Sequence, residues 1–373
     1  MKSKLRLLLI DNAVVLLFVA IIAVAIPISA MPLKYLAQEI LTRLGRNAFL
    51  VLALLLPVMA GMGLNFGMVL GAMAGQIGLI LVTDWNVVGI SGVMLAAIIS
   101  TPVALGLGWV CGQVLNRAKG REMVTGYILG FFMNGIYQLL VLYAMGMLIP
   151  IATPGILLSR GYGIRNMVDL IGVRQSLDKL LVVTVAGLKL PVATYLVIAA
   201  MCAFIVWFRG TKLGQDMRAV GQDRAVATAS GIPVERTRIM AIMISTLLAC
   251  YGQIIFLQNL GTLNTYNSHE QTGMFSIAAL LIGGASVSRA SIPNVIAGVV
   301  LFHLMFVVSP IAGKNLIGSA QLGEFFRQFI SYGIIAVSLV LFSWKRKADV
   351  AASREALRGG SAPASGPSKG GRA

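Results

Sequence analysis

Residues 209–251 of the chain are RGTKLGQDMRAVGQDRAVATASGIPVERTRIMAIMISTLLACY. This segment is polar at its start, and it separates two strongly apolar runs. Its cationic side chains belong to Arg209, Lys212, Arg218, Arg224, Arg236 and Arg238. Because short loops rich in Lys and Arg stay on the cytoplasmic side of a membrane, we expect residues 209–238 to form a cytoplasmic loop. Good helix formers between Asp223 and Ser230, with Gly221 before them and Gly231 after them, predict a short helix inside this loop.

The composition of the whole chain also indicates a membrane protein. Of its 373 residues, 58% are hydrophobic and 12% are charged, against about 25% charged in a typical soluble domain. The apolar residues form runs of about twenty, the length at which a helix crosses the ~30 Å hydrocarbon layer. We therefore predict an all-α, polytopic membrane domain over residues 1–344. Its ten helices, some of them short or broken, are expected near 11–31, 47–67, 68–83, 88–115, 123–150, 191–208, 238–258, 273–288, 292–312 and 329–344.

The distribution of charge gives the expected orientation. With ten spans and both termini in the cytoplasm, 20 of the 30 Lys and Arg residues lie in inner segments and ten in outer ones, as the positive-inside rule requires. The net charge of +17 then reflects inner loops that face anionic membrane lipid. No basic helix carries base-reading or stacking residues, so we expect no nucleic-acid partner. Residues 345–373 are rich in Gly, Ser, Ala and Pro, which predicts a disordered cytoplasmic tail.

The 209–238 loop resembles the coupling loop of bacterial ABC-importer permeases, in the group that transports simple sugars, nucleosides and branched-chain amino acids. The resemblance is dense over about twenty positions, and it implies that the loop docks on a separate ATPase. The loop residues to which it assigns this role are Arg218, Gly221, Asp223, Ala225, Ala227, Ser230 and Gly231. It also implies a second permease copy or a paralogue, an extracytoplasmic binding protein, and ATP with Mg used only by the ATPase.

A second, looser similarity covers Gly63–Leu70, which resembles an early membrane motif of the sugar-type permeases. That family usually has an acidic residue and a Ser where this chain has Gly63 and Asn65. The segment Ser288–Pro293 also departs from the family, which is glycine-rich there. These differences leave the class of solute open between a simple sugar or nucleoside and a branched-chain amino acid.

Polar residues inside apolar runs are candidates for the solute pathway, since an uncompensated polar group in hydrocarbon is costly. The neutral amides are Asn65, Gln76, Asn134, Gln138, Gln253 and Gln258. They are suited to hydrogen-bonding hydroxyl or amide groups of a solute, or else they satisfy the backbone of a neighbouring helix. We place His269 and Glu270 in an outer loop, and the spacing of apolar residues from Ile164 to Leu181 predicts an amphipathic helix on the outer surface.

Four glycines recur every four residues, at Gly63, Gly67, Gly71 and Gly75. On one continuous helix they would share a face, which favours close packing between helices or, alternatively, a flexible gate.

Catalytic motifs are missing from the sequence. It contains no GxxxxGK[ST] phosphate loop and no HExxH motif, so we expect a non-catalytic transport subunit that binds no cofactor or metal. Two other classes of membrane protein have different sequence signatures. An ion-coupled secondary transporter should carry charges inside the membrane and show repeat symmetry. A membrane enzyme acting on lipid should carry clustered His or acidic residues near an interface. Neither pattern is evident.

Overall fold

The computed structural model describes residues 13–319, 321–329, 332, 333 and 336 of the chain. This part is predominantly helical, and the prediction of an all-α protein is confirmed. In chain order, α1 to α6 are Ala13–Ser29, Leu33–Ala53, Leu55–Met59, Met68–Asp84, Gly89–Arg117 and Glu122–Leu139. Helices α7 to α12 are Val192–Gly210, Lys212–Gln222, Arg224–Ala229, Val234–Leu260, Ser268–Ile282 and Ile292–Ile317. A π-helical turn over Leu140–Ala144 extends α6, and the backbone is again helical at 321–329.

Six helical segments of the described chain are long and apolar enough to cross a membrane, and α1 and α4 are shorter apolar helices. Most predicted spans agree with a helix to within a few residues. The expected span at 47–67 is wrong, because its helix begins at Leu33 and the helical run ends at Met59. The span expected at 123–150 ends earlier, at Ala144, and the one at 273–288 is shifted to Ser268–Ile282. The tail at 345–373 and most of the span at 329–344 lie outside the described residues.

The run from 47 to 83 is interrupted between Met59 and Met68. Gly61 and Gly63 adopt φ angles of +68° and +73°, a left-handed conformation that residues with a β-carbon rarely adopt. The helix therefore ends there, and a non-helical break at residues 60–67 separates α3 from α4. Non-helical backbone is tolerated within a membrane protein only where the protein itself covers it, and most of this break is buried.

Helix α10 lies at the centre of the molecule, packed against α2, α4 and α5. The close approach of α4 depends on its glycines. A β-carbon on Gly71 would lie 2.1 Å from the carbonyl oxygen of Thr246, and one on Gly75 would lie 2.8 Å from that of Cys250. Close packing is therefore confirmed for these two glycines. The expectation of one continuous glycine face is wrong, because Gly63 and Gly67 lie in or beside the break at residues 60–67.

The segment from Met145 to Pro191 has little helix. Its strand β1 (Met167–Asp169) pairs antiparallel with β4 (Thr262–Asn264), so that Val168 lies opposite Leu263. Strands β2 (Val182–Val185) and β3 (Leu188–Pro191) form a hairpin. The amphipathic helix predicted at 164–181 is therefore wrong. Within β1 only the central Val168 is buried, because pairing with a strand nearly a hundred residues away overrides the local helical pattern.

Candidate transport site and coupling segment

A group of hydrogen-bonded side chains joins three helices in the interior of the protein. Helix α4 contributes Gln76, α6 contributes Asn134 and Tyr137, and the first turn of α11 contributes His269 and Glu270. We call these five residues the polar cluster. The Tyr137 hydroxyl donates to Gln76 Oε1 at 2.7 Å, and His269 Nδ1 lies 3.1 Å from the same oxygen. His269 Nε2 lies 3.0 Å from Asn134 Oδ1, and Asn134 Nδ2 donates to Glu270. The cluster is therefore a continuous chain of polar contacts.

An open pocket of about 410 Å³ adjoins the polar cluster at Glu270. Its lining is otherwise mostly aromatic, apolar or amide in character, with contributions from Phe66, Val69, Tyr127, Gly130, Phe131, Asn267, Gln271, Gly273, Met274 and Tyr332. Within the described residues, its lining contains a carboxylate but no Lys or Arg. Aromatic faces next to amide and carboxylate oxygens suit a small solute with both apolar faces and hydroxyl donors.

The structure brings together three of the six predicted pathway amides. Gln76 and Asn134 belong to the polar cluster. Gln138 lies one turn along α6 from Asn134, and its Nε2 donates to the carbonyl oxygen of Tyr266 at 3.2 Å. The buried Gln76 Nε2 has no hydrogen-bond partner among the described residues. An unpartnered buried donor is costly, so a hydrogen bond from this nitrogen to a water or to a solute hydroxyl would be stabilising; Gln76 itself is fully buried behind the residues that line the pocket.

The other three amides lie elsewhere. Asn65 is in the break at residues 60–67, where its Nδ2 donates to Ser245 Oγ of α10 at 3.3 Å. Gln253 is fully buried on α10 and has no hydrogen-bond partner in the described part of the chain. Gln258 is near the end of α10, and its Nε2 donates to Asp178 at 3.0 Å. The roles assigned to all six amides remain predictions.

His269 and Glu270 are the residues of this site that the sequence interpretation missed. Their assignment to an outer loop is wrong, because they lie in the first turn of α11 and His269 is completely buried. A signal was present, since a polar segment directly before the apolar run from residue 273 is compatible with the start of a helix. Tyr137 was also missed, because an aromatic residue in an apolar run is usually a packing residue.

Two short helices, α8 and α9, make up most of the coupling segment, residues 209–238. The Thr211 hydroxyl accepts a hydrogen bond from the Gly214 amide at the start of α8. The Asp223 carboxylate accepts from the amides of Ala225 and Val226 at the start of α9. Such side chains satisfy amide groups that have no partner within the helix. The short helix predicted between Asp223 and Ser230 is confirmed as α9, Arg224–Ala229.

The outward face of α9 consists of small and apolar side chains. Ala225 and Ala229 are exposed, and Val226 is 62% exposed. By contrast, Ala227 is only 2% exposed, so it faces the rest of the chain. The expectation that Ala227 presents a free surface is therefore wrong. Because α9 has only six residues, its sequence does not fix which side is buried.

The two glycines that flank α9 have different environments. A β-carbon on Gly221 would lie 2.2 Å from the carbonyl oxygen of Met59, so the end of α8 directly contacts the start of the break at residues 60–67. Gly231 adopts a φ of +80°, and a β-carbon there would meet nothing within 4 Å. Gly221 is therefore required for a close approach, whereas Gly231 is required for the conformation of a turn.

A buried ionic group connects the coupling segment to the other helices. We call Asn116, Glu122, Arg224 and Arg238 the ionic network. Arg224 Nη2 donates to Glu122 Oε1 at 2.9 Å and to the carbonyl oxygen of Gly61 at 3.2 Å. Arg238, which is 1% exposed, donates to the same Glu122 oxygen and, at 2.9 Å, to Asn116 Oδ1. Sequence reasoning missed Glu122 and Asn116, since these partners are over a hundred residues from Arg224 or Arg238.

The chain is similar to several bacterial permease proteins. It is 31% identical over 156 residues to the probable ABC transporter permease protein YphD of Escherichia coli K12, covering 41% of this chain and 44% of that protein. It is 24% identical over 271 residues to the autoinducer 2 import system permease protein LsrD of Photorhabdus temperata, covering 71% and 73%. It is 27% identical over 163 residues to the ribose import permease protein RbsC of Bacillus subtilis, covering 43% and 48%.

The alignments with YphD and RbsC thus span less than half of each relative, whereas that with LsrD spans nearly three quarters. No solved structure matches this chain significantly. The match to a family of membrane transport proteins extends from residue 36 to residue 342. Because this match includes most of the chain, the protein belongs to the family described as the permease component of the branched-chain amino acid transport system.

Proposed function

We propose that this chain is the membrane-spanning permease subunit of an ATP-binding cassette importer, and that it translocates a simple sugar or a related hydroxyl-rich solute. The observation that carries the proposal is the polar cluster with its adjoining pocket, because it places amide, imidazole and carboxylate groups beside aromatic side chains. Relatives named for the import of autoinducer 2, L-arabinose and ribose support the same class of solute.

Branched-chain amino acids are the alternative, since the family description names them. An amino acid carries an ammonium group, with which Glu270 could pair, and a carboxylate, which needs a cation or several hydrogen-bond donors when it is buried. The described lining of the pocket offers Glu270 and no basic side chain. A second carboxylate beside Glu270 would be repelled. The chemistry of the pocket therefore favours a neutral solute.

The energy for transport comes, in this proposal, from separate ATPase subunits that bind ATP and Mg, and this chain itself is not catalytic. The exposed face of α9, centred on Val226, docks in a groove of the ATPase. A second copy of the permease or a paralogue completes the pathway, and an extracytoplasmic binding protein delivers the solute. The complex lies in the bacterial inner membrane.

The proposed orientation has the coupling segment and both termini in the cytoplasm, because basic residues are concentrated there. Single cysteines at positions 119 and 212, introduced in place of exposed residues outside α9, should react with an impermeant maleimide only after the cells are opened. Labelling of either position in intact cells would contradict this orientation.

The solute class is tested with purified complexes in proteoliposomes. Mass spectrometry of the co-purified binding protein identifies its bound small molecule, and ATP-dependent accumulation is then compared for ribose, L-arabinose, galactose and leucine. We expect accumulation of a sugar. Accumulation of leucine alone would refute the proposed solute class.

A matched pair of amide substitutions tests the assignment of the site. Asn134→Leu removes a hydrogen-bonding partner of both His269 and Glu270, and lost hydrogen bonds of about 1–3 kcal/mol correspond to about 5- to 150-fold weaker solute affinity. In Gln258→Leu, Asp178 keeps its contacts with Asn259 and Thr194, so solute affinity should be close to that of the wild type. Equal effects of the two substitutions would exclude the polar cluster as the specific solute site.

A further inference from the structure

The ionic network connects the coupling segment to the two helices that hold most of the polar cluster. Arg224 is the first residue of α9, and its acceptor Glu122 is the first residue of α6. Its other acceptor, the carbonyl of Gly61, belongs to the break that directly precedes α4. Helix α6 carries Asn134 and Tyr137, and α4 carries Gln76. A displacement of α9 therefore acts on the starts of both helices.

The two routes to the polar cluster are short and mostly helical. Asn134 lies twelve residues beyond Glu122 on the same helix, a distance of about 18 Å at 1.5 Å per residue. On the other route, Asn65 attaches the break at residues 60–67 to Ser245 of α10, and α4 begins three residues later. Side chains packed on such continuous helices move together with the helix.

Glu122 is the shared acceptor of the network, since both guanidinium groups donate to its Oε1 atom. A buried ion pair holds its partners in a defined arrangement, whereas removal of one partner leaves an uncompensated charge. Arg238 is almost completely buried and also bonds Asn116, in the last turn of α5. Arg238 thus fixes Glu122 to the membrane helix α10, while Arg224 reaches Glu122 from α9 and is half-buried.

From these contacts we infer that Arg224 is a positioning residue, which transmits movement of α9 to the polar cluster through Glu122 on α6 and through Gly61 ahead of α4. This inference rests on the proposed function, because it requires an ATPase that moves α9. Transport then depends on these contacts within the chain as well as on the docking surface of α9.

The test measures whether the pocket responds to the nucleotide state of the ATPase. Phe131 lines the pocket and is 55% exposed, so Phe131→Cys is an accessible reporter once the three native cysteines are replaced by alanine. The complex with the co-purifying ATPase is studied with and without ADP trapped by vanadate, and the rate of reaction with N-ethylmaleimide is measured. In the reporter protein, trapping should change this rate by about fivefold or more, at the low end of allosteric coupling between sites.

Three substitutions in the reporter background separate transmission from folding. Arg224→Gln should abolish the nucleotide-dependent change while the ATPase still co-purifies, because the Glu122–Arg238 pair remains. Arg224→Lys should restore most of the change, since both contacts come from the single nitrogen Nη2 and one ammonium group can replace it. Arg117→Gln alters an exposed arginine at the end of α5 and should behave as the unsubstituted reporter.

The inference would be overturned by a full nucleotide-dependent change in Arg224→Gln. It would also be overturned if trapping did not alter the reporter at all, or if Arg224→Gln lost the ATPase and Arg224→Lys did not restore it. The last result would make Arg224 part of the docking surface. Failure of the unsubstituted chain to bind any ATPase would instead overturn the proposed function.

Discussion

Replacing Gly221 with Ala should disrupt transport more strongly than its small size suggests. The new β-carbon would lie 2.2 Å from the carbonyl oxygen of Met59 and 3.1 Å from the amide nitrogen of Gly61. Ordinary contact begins at 3.4 Å, so the end of α8 and the break at residues 60–67 must separate by about 1 Å. Backbone atoms on both sides make this contact, and no flexible side chain can move aside to relieve it.

The expected magnitude follows from this overlap. Overpacking of a well-packed contact costs about 1–3 kcal/mol of folding stability. A misplacement of about 1 Å can reduce the rate of an enzyme by about 10²-fold, and we expect at least a tenfold loss of ATP-dependent uptake. Uptake is measured in proteoliposomes with the solute identified from the binding protein, and the thermal unfolding of each purified complex is recorded in parallel.

Gly231→Ala is the matched control. Its φ of +80° makes alanine unfavourable by about 1–2 kcal/mol, which is close to the cost expected at Gly221. However, its β-carbon meets nothing within 4 Å, so the end of α8 is not pushed away from the break. The two variants should lose similar thermal stability, while only Gly221→Ala loses most of its uptake. Equal uptake in the two variants would refute the importance of the Gly221–Met59 contact.

Three further predictions concern other parts of the protein. Val226→Asp should weaken co-purification of the ATPase by about tenfold or more, as expected for an interface anchor. The unfolding temperature of the permease should be unchanged, because the side chain of residue 226 is exposed. Undiminished co-purification would argue against docking at α9. Gly71→Ala should lower folding stability by about 1–3 kcal/mol, because its β-carbon would lie 2.1 Å from a carbonyl oxygen of α10. An unchanged unfolding temperature would contradict this close packing. Tyr137→Phe removes one hydrogen bond to Gln76 and should weaken solute affinity by about 1 kcal/mol, or about fivefold. The affinity is measured from the concentration dependence of uptake. An unchanged affinity would place Tyr137 outside the solute site.

Much of the helical architecture was predictable because hydropathy and local breakers determine it. The span expected at 88–115 corresponds to Gly89–Arg117, and the one at 191–208 corresponds to Val192–Gly210. The prediction failed at Leu33, where Lys34, Glu39, Arg43 and Arg46 make the first half of a long helix resemble a polar loop. Arg43 forms an ion pair with Glu39 one turn earlier on the same helix, and Arg46 stacks over Phe256 of α10.

The candidate site was only partly predictable from the residue types. Gln76 and Asn134 were predictable, because a neutral amide in an apolar run needs a hydrogen-bonding partner. The same property applies to Gln258, which however lies with Asp178 in a separate network. The residue type shows that a hydrogen-bonding partner is needed. Which residue serves as that partner depends on the packing of helices that are far apart in the sequence.

The sequence by itself determined that the chain is a helical membrane protein with a basic loop at 209–238 and a short helix within it. These features depend on local composition, on hydropathy, and on helix formers between the breakers Gly221 and Gly231. Only the tertiary structure decided that His269 joins Gln76 to Asn134, that Ala227 faces inward, and that Glu122 links Arg224 with Arg238. The physical reason is that each of these contacts depends on how one helix is rotated and packed against another, and close backbone approaches such as that of Gly71 to Thr246 set this geometry.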